Sequence, residues 1–223
     1  MFRKMKGSRD MTEKRVLIFA GGNMNPVFLE EIRQNDLVIG ADRGALFLVE
    51  HGIHPHISVG DFDSITPEEL EKVKCASGKI ITCDPINKDL TDTELAYVTA
   101  MDNEATEIIM MGVTGSRMDH TLANIQIMLR GLQHQVQSAI YDTHNYITLT
   151  GSTITIQERG FTYASLVPLT PEVTGITLEG FMYPLDNATL RMGQSLGISN
   201  RLIGQEGTIR IESGLLLIIQ SRD

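Results

Sequence analysis

Residues 15–22 read RVLIFAGG, an apolar run from Arg15 to Ala20 closed by Gly21-Gly22. A short continuous apolar run with a glycine stop is the pattern of a strand buried on both faces. Comparable runs return at Leu37–Gly40, Ile57–Gly60, Lys79–Thr82, Glu107–Gly112 and Val136–Tyr141. Helix signals lie between them. Asn25–Gln34 carries Pro26 at a helix start, and Ala45–His51 is stopped by Gly52. Thr66-Pro67-Glu68-Glu69 supplies a cap, a first-turn proline and acids at the positive dipole end. Thr91-Asp92-Thr93-Glu94 reads as a capping box opening a helix to about Met101, and Met118–Leu132 has helical periodicity. Strands alternating with helices predict βαβ units: a Rossmann-like, mainly parallel sheet with helices on both faces.

The pattern changes near residue 142. Beyond it, short runs rich in Ile, Val, Thr and Leu are punctuated by Gly, Pro and Asn: Tyr146–Thr150, Thr153–Gln157, Tyr163–Pro168, Gly175–Leu178, Thr208–Ile211 and Leu215–Gln220. This is the signature of an antiparallel β-sandwich or barrel, of which the sandwich is the expectation. The expected fold is therefore α/β plus all-β, with an α/β domain over 12–142 and a β-sandwich domain over 143–223.

Composition narrows the function. The chain has 223 residues, 42% hydrophobic and 21% charged, enough for a substantial core. Its formal charge of −9 does not attract phosphate backbones, so a general nucleic-acid binder is excluded. An acidic chain that handles phosphates needs a divalent metal or a few placed cations. Cys75 and Cys83 form neither a disulfide framework nor a zinc pattern. No apolar run reaches membrane-span length, and no apolar stretch follows the basic residues 1–10 as a signal peptide requires. A cytoplasmic protein starting naturally at Met11 is the expectation.

In a parallel sheet, ligands bind beyond the carboxyl ends of the strands. The polar residues at those ends are Asp42 and Arg43, then Asp61 and Asp63, then Lys88, Asp89 and Asp92, and then Thr114, Gly115, Ser116, Arg117 and Asp119. Carboxylates from successive strands repel one another at a common edge unless a cation joins them. In Gly60-Asp61-Phe62-Asp63-Ser64, alternate residues of an extended segment point the same way. Asp61 and Asp63 can then face one ion while Phe62 turns inward; the alternative for Asp63 is a helix cap. Carboxylates without His or Cys suit Mg²⁺. Lys88 offers a point charge to a phosphate, and Arg117 a bidentate fork. The small residues of Gly112–Arg117 let backbone amides approach an anion, and Gly21-Gly22-Asn23 is a second such turn. No Walker loop is present. His120 reads as a packed or capping histidine more readily than as a general base. Gly193–Asn200 is a polar, glycine-rich loop, either a plain sandwich connection or a segment whose Ser199 and Asn200 hydrogen-bond a heteroaromatic ligand.

Taken together, GADRGA at 40–45, GDFDS at 60–64, KDLTDTE at 88–94, GVTGSRMDHTLANI at 112–125 and GQSLGISN at 193–200 resemble the bacterial thiamine pyrophosphokinases. The resemblance implies ATP-dependent transfer of a pyrophosphoryl group to thiamine, giving thiamine diphosphate and AMP. It implies a homodimer whose active sites lie between the α/β domain of one chain and the β domain of the other. It implies Mg²⁺ held by Asp61, Asp63 and Asp89. Asp42, Arg43, Lys88, Thr114, Gly115 and Arg117 would serve the nucleotide, with Asp92 and Asp119 near the attacking hydroxyl. Ser199 and Asn200 would contact thiamine. Eukaryotic members stack a tryptophan on thiamine shortly after the Ser-Asn pair. This chain has no Trp, which leaves Leu202 or Ile203 as the apolar contact. Competing readings are another phosphotransferase on the same scaffold and a non-enzymatic thiamine or nucleotide sensor.

Overall fold

A computed structural model describes residues 13–82 and 90–223. Cys83, Lys88, Asp89 and the start of the chain lie outside the described residues.

Strands β1 (Arg15–Phe19), β2 (Leu37–Ala41), β3 (Ile57–Gly60), β4 (Lys79–Thr82), β5 (Glu107–Met111) and β6 (Gln137–Tyr141) lie in one sheet in the order β4-β3-β2-β1-β5-β6. All of these pairings are parallel. Helices α1 (Arg43–Glu50), α2 (Pro67–Ala76), α3 (Asp92–Asp102) and α4 (Met118–Gln133) connect them. The two-residue period of β1 divides its side chains between the two faces. Val16 and Ile18 enter a core with Ala96, Tyr97 and Met128 of α3 and α4. Leu17 and Phe19 enter another with Phe28 and Leu48. Apolar residues on both faces are what helices on both faces require.

The sheet continues past residue 142. Strands β7 (Asn145–Thr150), β13 (Leu216–Ser221) and β9 (Tyr163–Pro168) extend it antiparallel in the order β6-β7-β13-β9, to nine strands in all. A second sheet has the order β11-β10-β12-β8, from Ala188–Arg191, Glu172–Glu179, Glu206–Arg210 and Ile154–Gln157. Its Val173, Ile176, Leu178 and Ile209 pack against Ala164, Leu166, Leu216 and Ile218 of the large sheet. One layer of the sandwich is thus the far end of the nine-stranded sheet. Strand β11, entered through Asn187 at φ 47°, was not anticipated from the sequence.

Two helix starts depart instructively from expectation. Around 25–34 the chain makes only a 3-10 helix, Pro26–Glu31. It ends there because Asp36 accepts from the Arg33 amide at 2.7 Å, and Glu31 and Asp36 together receive the buried Arg15 guanidinium. At α2 the capping box is complete: the Glu69 amide donates to Thr66 Oγ1 and the Thr66 amide to Glu69 Oε2. At α3 the Thr91 hydroxyl accepts from the Glu94 amide, but the Glu94 carboxylate receives Arg130 of α4 at 3.0 Å. Glu94 ties two helices instead of closing the box.

Helix α1 begins hard against β1. A Cβ on Gly44 would lie 2.0 Å from the Phe19 carbonyl oxygen. Gly44→Ala is expected to cost about 3 kcal/mol, lowering Tm by roughly 6–12 °C in a calorimetric scan.

Candidate active site

The chain order reverses about β1, with β2 on one side and β5 on the other, and such a switch point opens a crevice at the carboxyl edge. A cleft of about 430 Å³ lies there. Its walls come from Gly21-Gly22-Asn23 after β1, Asp42 after β2, Thr91–Thr93 at the start of α3, and Gly112–Arg117 after β5.

Ala41 pairs with Val59, so the residues that follow on the two strands stand level. One carboxylate oxygen from each of Asp42, Asp61 and Asp63 falls within 4.8 Å of the others. Three local features hold them. Asp42 has φ 49° and ψ −121°, a conformation that is costly for any residue with a Cβ. Its amide donates to the Val59 carbonyl and its Oδ2 accepts from Ser64 Oγ at 2.5 Å. Phe62 has φ 57° and is buried with Ala45, Leu46 and Val73. The segment is therefore a left-handed turn and not the extended stretch expected. The Asp63 amide closes that turn onto Asp61 Oδ1 at 3.2 Å. Gly60, at φ 136°, leaves room for a fourth acid, since a Cβ there would lie 3.3 Å from Asp92 Oδ1.

Asp42 Oδ1 is buried without a hydrogen-bond partner among the described residues. A buried charged oxygen is costly unless something cationic meets it. Three carboxylates with no imidazole or thiolate form a donor set that suits a hard divalent cation. The resemblance gives Asp42 to the nucleotide, and the structure sets it beside Asp61 and Asp63. The signal was available: Asp42 follows β2 as Asp61 follows β3, and the two strands are neighbours.

The turn after β5 is tightly framed. Gly22 donates to the Gly112 carbonyl at 2.7 Å and Asn23 to that of Thr114 at 3.1 Å. Buried Asn124 of α4 donates from Nδ2 to the Val113 carbonyl at 2.8 Å, a contact sequence reasoning did not assign. Gly115 faces open space. Arg117 and Asp119 pair with each other at 2.6 Å, with side chains 68% and 64% exposed. That pairing raises the Arg117 pKa and holds the Asp119 carboxyl below its usual range, the hydrogen bond being the largest cause of each shift. Arg43 is exposed at the first turn of α1, its Cβ 3.4 Å from a Cβ built on Gly21.

The lining of the cleft ends at Asn124, so Ser199 and Asn200 stand apart from it. Ser199 has φ 60°, and its amide donates to Ser165 Oγ. The Asn200 side chain is buried; its Oδ1 accepts from the Tyr183 and Arg201 amides and its Nδ2 donates to the Tyr183 carbonyl. Leu202 packs against the sandwich core, whereas Ile203 is 68% exposed. The Asn200 clamp presents Tyr183, 60% exposed, an aromatic surface the sequence gave no periodic signal for.

Two family models match the chain: thiamin pyrophosphokinase, catalytic domain, over residues 28–140, and thiamin pyrophosphokinase, vitamin B1 binding domain, over 151–216. A thiamine pyrophosphokinase of Bacillus subtilis is 34% identical over 214 residues, spanning 94% of this chain and 100% of its own length. The chain belongs to the thiamin pyrophosphokinase family. A solved thiamine pyrophosphokinase structure from Bacillus subtilis superposes with TM-score 0.87 at 33% identity, covering 94% of this chain and 100% of the other. One from Geobacillus thermodenitrificans gives 0.84 at 32%, covering 94% and 98%. The family's catalytic-domain match contains the acid cluster and most of the cleft, and its B1-binding match contains Tyr183, Ser199 and Asn200.

The Arg117–Asp119 pair sets a titration. Because the Asp119 pKa is depressed, its carboxyl stays ionised as pH falls through the ordinary range. Carboxyl-carbon NMR should place its midpoint below that of an ordinary aspartate, and Arg117→Gln should raise it. An unchanged midpoint in the variant would show that the pair does not persist in solution.

Proposed function

We propose that this chain transfers a pyrophosphoryl group from ATP to the hydroxyethyl arm of thiamine, releasing AMP and thiamine diphosphate. The observation that carries the reading is the buried, partnerless Asp42 Oδ1 among three convergent carboxylates beside the polar cleft. The family match supports it over both the sensor and the unrelated phosphotransferase.

In this reading Asp42, Asp61 and Asp63 hold Mg²⁺, with Asp89 as the further ligand the resemblance supplies. An ion held there would supply positive charge against the ATP phosphates. The turns at 21–23 and 112–117 receive phosphate oxygens on their amides, with Arg43, Lys88, Thr114, Gly115 and Arg117 around the nucleotide. The thiamine hydroxyl oxygen bonds to the β-phosphorus while the bond from that phosphorus to the oxygen bridging to the α-phosphate breaks, and AMP leaves with that oxygen. Asp92 accepts the hydroxyl proton, because the bidentate hold of Arg117 makes Asp119 a weak base.

Thiamine binds near Ser199, with Asn200 setting the backbone and Tyr183 offering the stacking surface. The proposed division of labour, 12–142 for ATP and metal and 143–223 for thiamine, has the two family matches on its two sides. A homodimer brings the halves of opposite chains together. Exposed apolar side chains support this. Met118 and Leu122 flank the nucleotide side, and Met182, Leu196, Ile198 and Ile203 surround the thiamine side.

Incubation with ATP, Mg²⁺ and thiamine should yield thiamine diphosphate and AMP one for one by chromatography; ADP with thiamine monophosphate would overturn the reading. Asp42→Asn and Asp61→Asn should each lower kcat by about 100-fold or more with the fold kept. Mixing refolded Asp61→Asn and Tyr183→Ala chains should recover about a quarter of wild-type activity, since half the dimers would carry one intact site.

A further inference from the structure

The turn after β5 has a fourth attachment that neither family match reaches. Thr114 Oγ1 donates to Asp142 Oδ2 at 3.0 Å. Asp142 lies between the two matched segments, at the hairpin joining β6 to β7. Its Oδ1 is fully committed to that hairpin. It accepts from the His144 and Asn145 amides, each at 2.8 Å, and from Asn145 Nδ2 at 3.1 Å. The Asp142 amide in turn donates to the Asn145 carbonyl. Just past the end of β13, Arg222 donates from Nε to the Thr143 carbonyl and from its amide to that of His144, closing the hairpin from outside. Oδ2 is thus fixed in space by contacts that have nothing to do with the cleft, and it aims at the Thr114 hydroxyl.

The other attachments of the turn come from the 21–23 turn and from α4, both walls of the cleft themselves. Among the described residues, the Thr114–Asp142 bond alone refers the turn to a point outside the cleft. After Thr114, a Cβ built on Gly115 would meet nothing within 4 Å and Ser116 and Arg117 are exposed, so Thr114 is the last anchored residue before the open part of the turn.

We propose that Asp142 is a positioning residue for the nucleotide: its carboxylate, held by the β6–β7 hairpin, fixes the Thr114 hydroxyl and thereby the phosphate-facing amides of the 112–117 turn. The inference rests on the nucleotide reading of the cleft given above. The contact is a charge-assisted hydrogen bond, and the cost of losing it falls on the geometry of an anion site that needs its amides pre-set.

Thr114→Val keeps the shape and removes the hydroxyl, while leaving every hairpin bond of Asp142 in place. It should raise KM for ATP about tenfold, the worth of one charge-assisted hydrogen bond. Thr114→Ser should return KM for ATP to near wild type. Asp142→Asn should raise KM for ATP likewise while leaving kcat and the KM for thiamine within about twofold, and the double variant should be no worse than either single one. Values of KM for ATP within twofold of wild type in Thr114→Val, failure of Thr114→Ser to restore it, or fully additive effects would overturn the proposal. If Asp142→Asn unfolds the hairpin, Thr114→Val and Thr114→Ser decide alone. The Kd for ATP by calorimetry makes the same comparison without turnover. A wild-type chain that binds ATP but makes no thiamine diphosphate overturns the function proposed above and leaves this inference to the Kd. A wild-type chain that binds no ATP overturns both.

Discussion

Carboxylates crowded at one edge of a sheet push against one another, and the backbone has to hold them together. Here Asp42 sits at φ 49° and Phe62 at φ 57° on neighbouring strand ends. Strain of this kind costs on the order of 1–3 kcal/mol per residue and survives only where the surroundings over-determine it. The surroundings do so. Gly44 lets α1 start against the β1 backbone, which fixes the residue before it. The Phe62 ring is anchored in a small core with Val73 of α2. Register between β2 and β3 sets the level of the two strand ends. The site therefore depends on packing that contains no catalytic residue.

The nine-stranded sheet gives the molecule a second constraint. Because β7 pairs with β6 on one side and β13 on the other, the sandwich is built on the same sheet as the polar cleft. Ser165, which fixes Ser199, stands on β9 at the far edge of that sheet. The cleft and the Ser199–Asn200 region are thus parts of one hydrogen-bonded frame, yet no residue beyond Asn124 lines the cleft. That separation within one chain is the observation behind the proposed two-chain site.

Much of the architecture was legible because each local signal agreed with its neighbours. Buried strands such as VLIF at 16–19 serve helices on both faces and so carry an unbroken apolar run. Caps such as Thr66 and Thr91 act within a few residues and need no tertiary help. Where a partner lay far along the chain, the local reading fell short. Glu94 left its capping box for Arg130, the helix at 25–34 yielded to Arg15, and Leu202 and Asn200 turned inward.

The sequence by itself determined the strand–helix alternation, the switch to short strands after residue 142, and the strand-end positions of the acids. These follow from periodicity and from turn and cap chemistry, all of which act over a few residues. Only the tertiary structure decided which acids share a site and which polar groups are already spent. Whether Asp42 stands with Asp61 and Asp63, or Glu94 with Arg130, depends on strand order, register and side-chain reach. Those are set by packing between segments distant in the chain, and no local pattern encodes them.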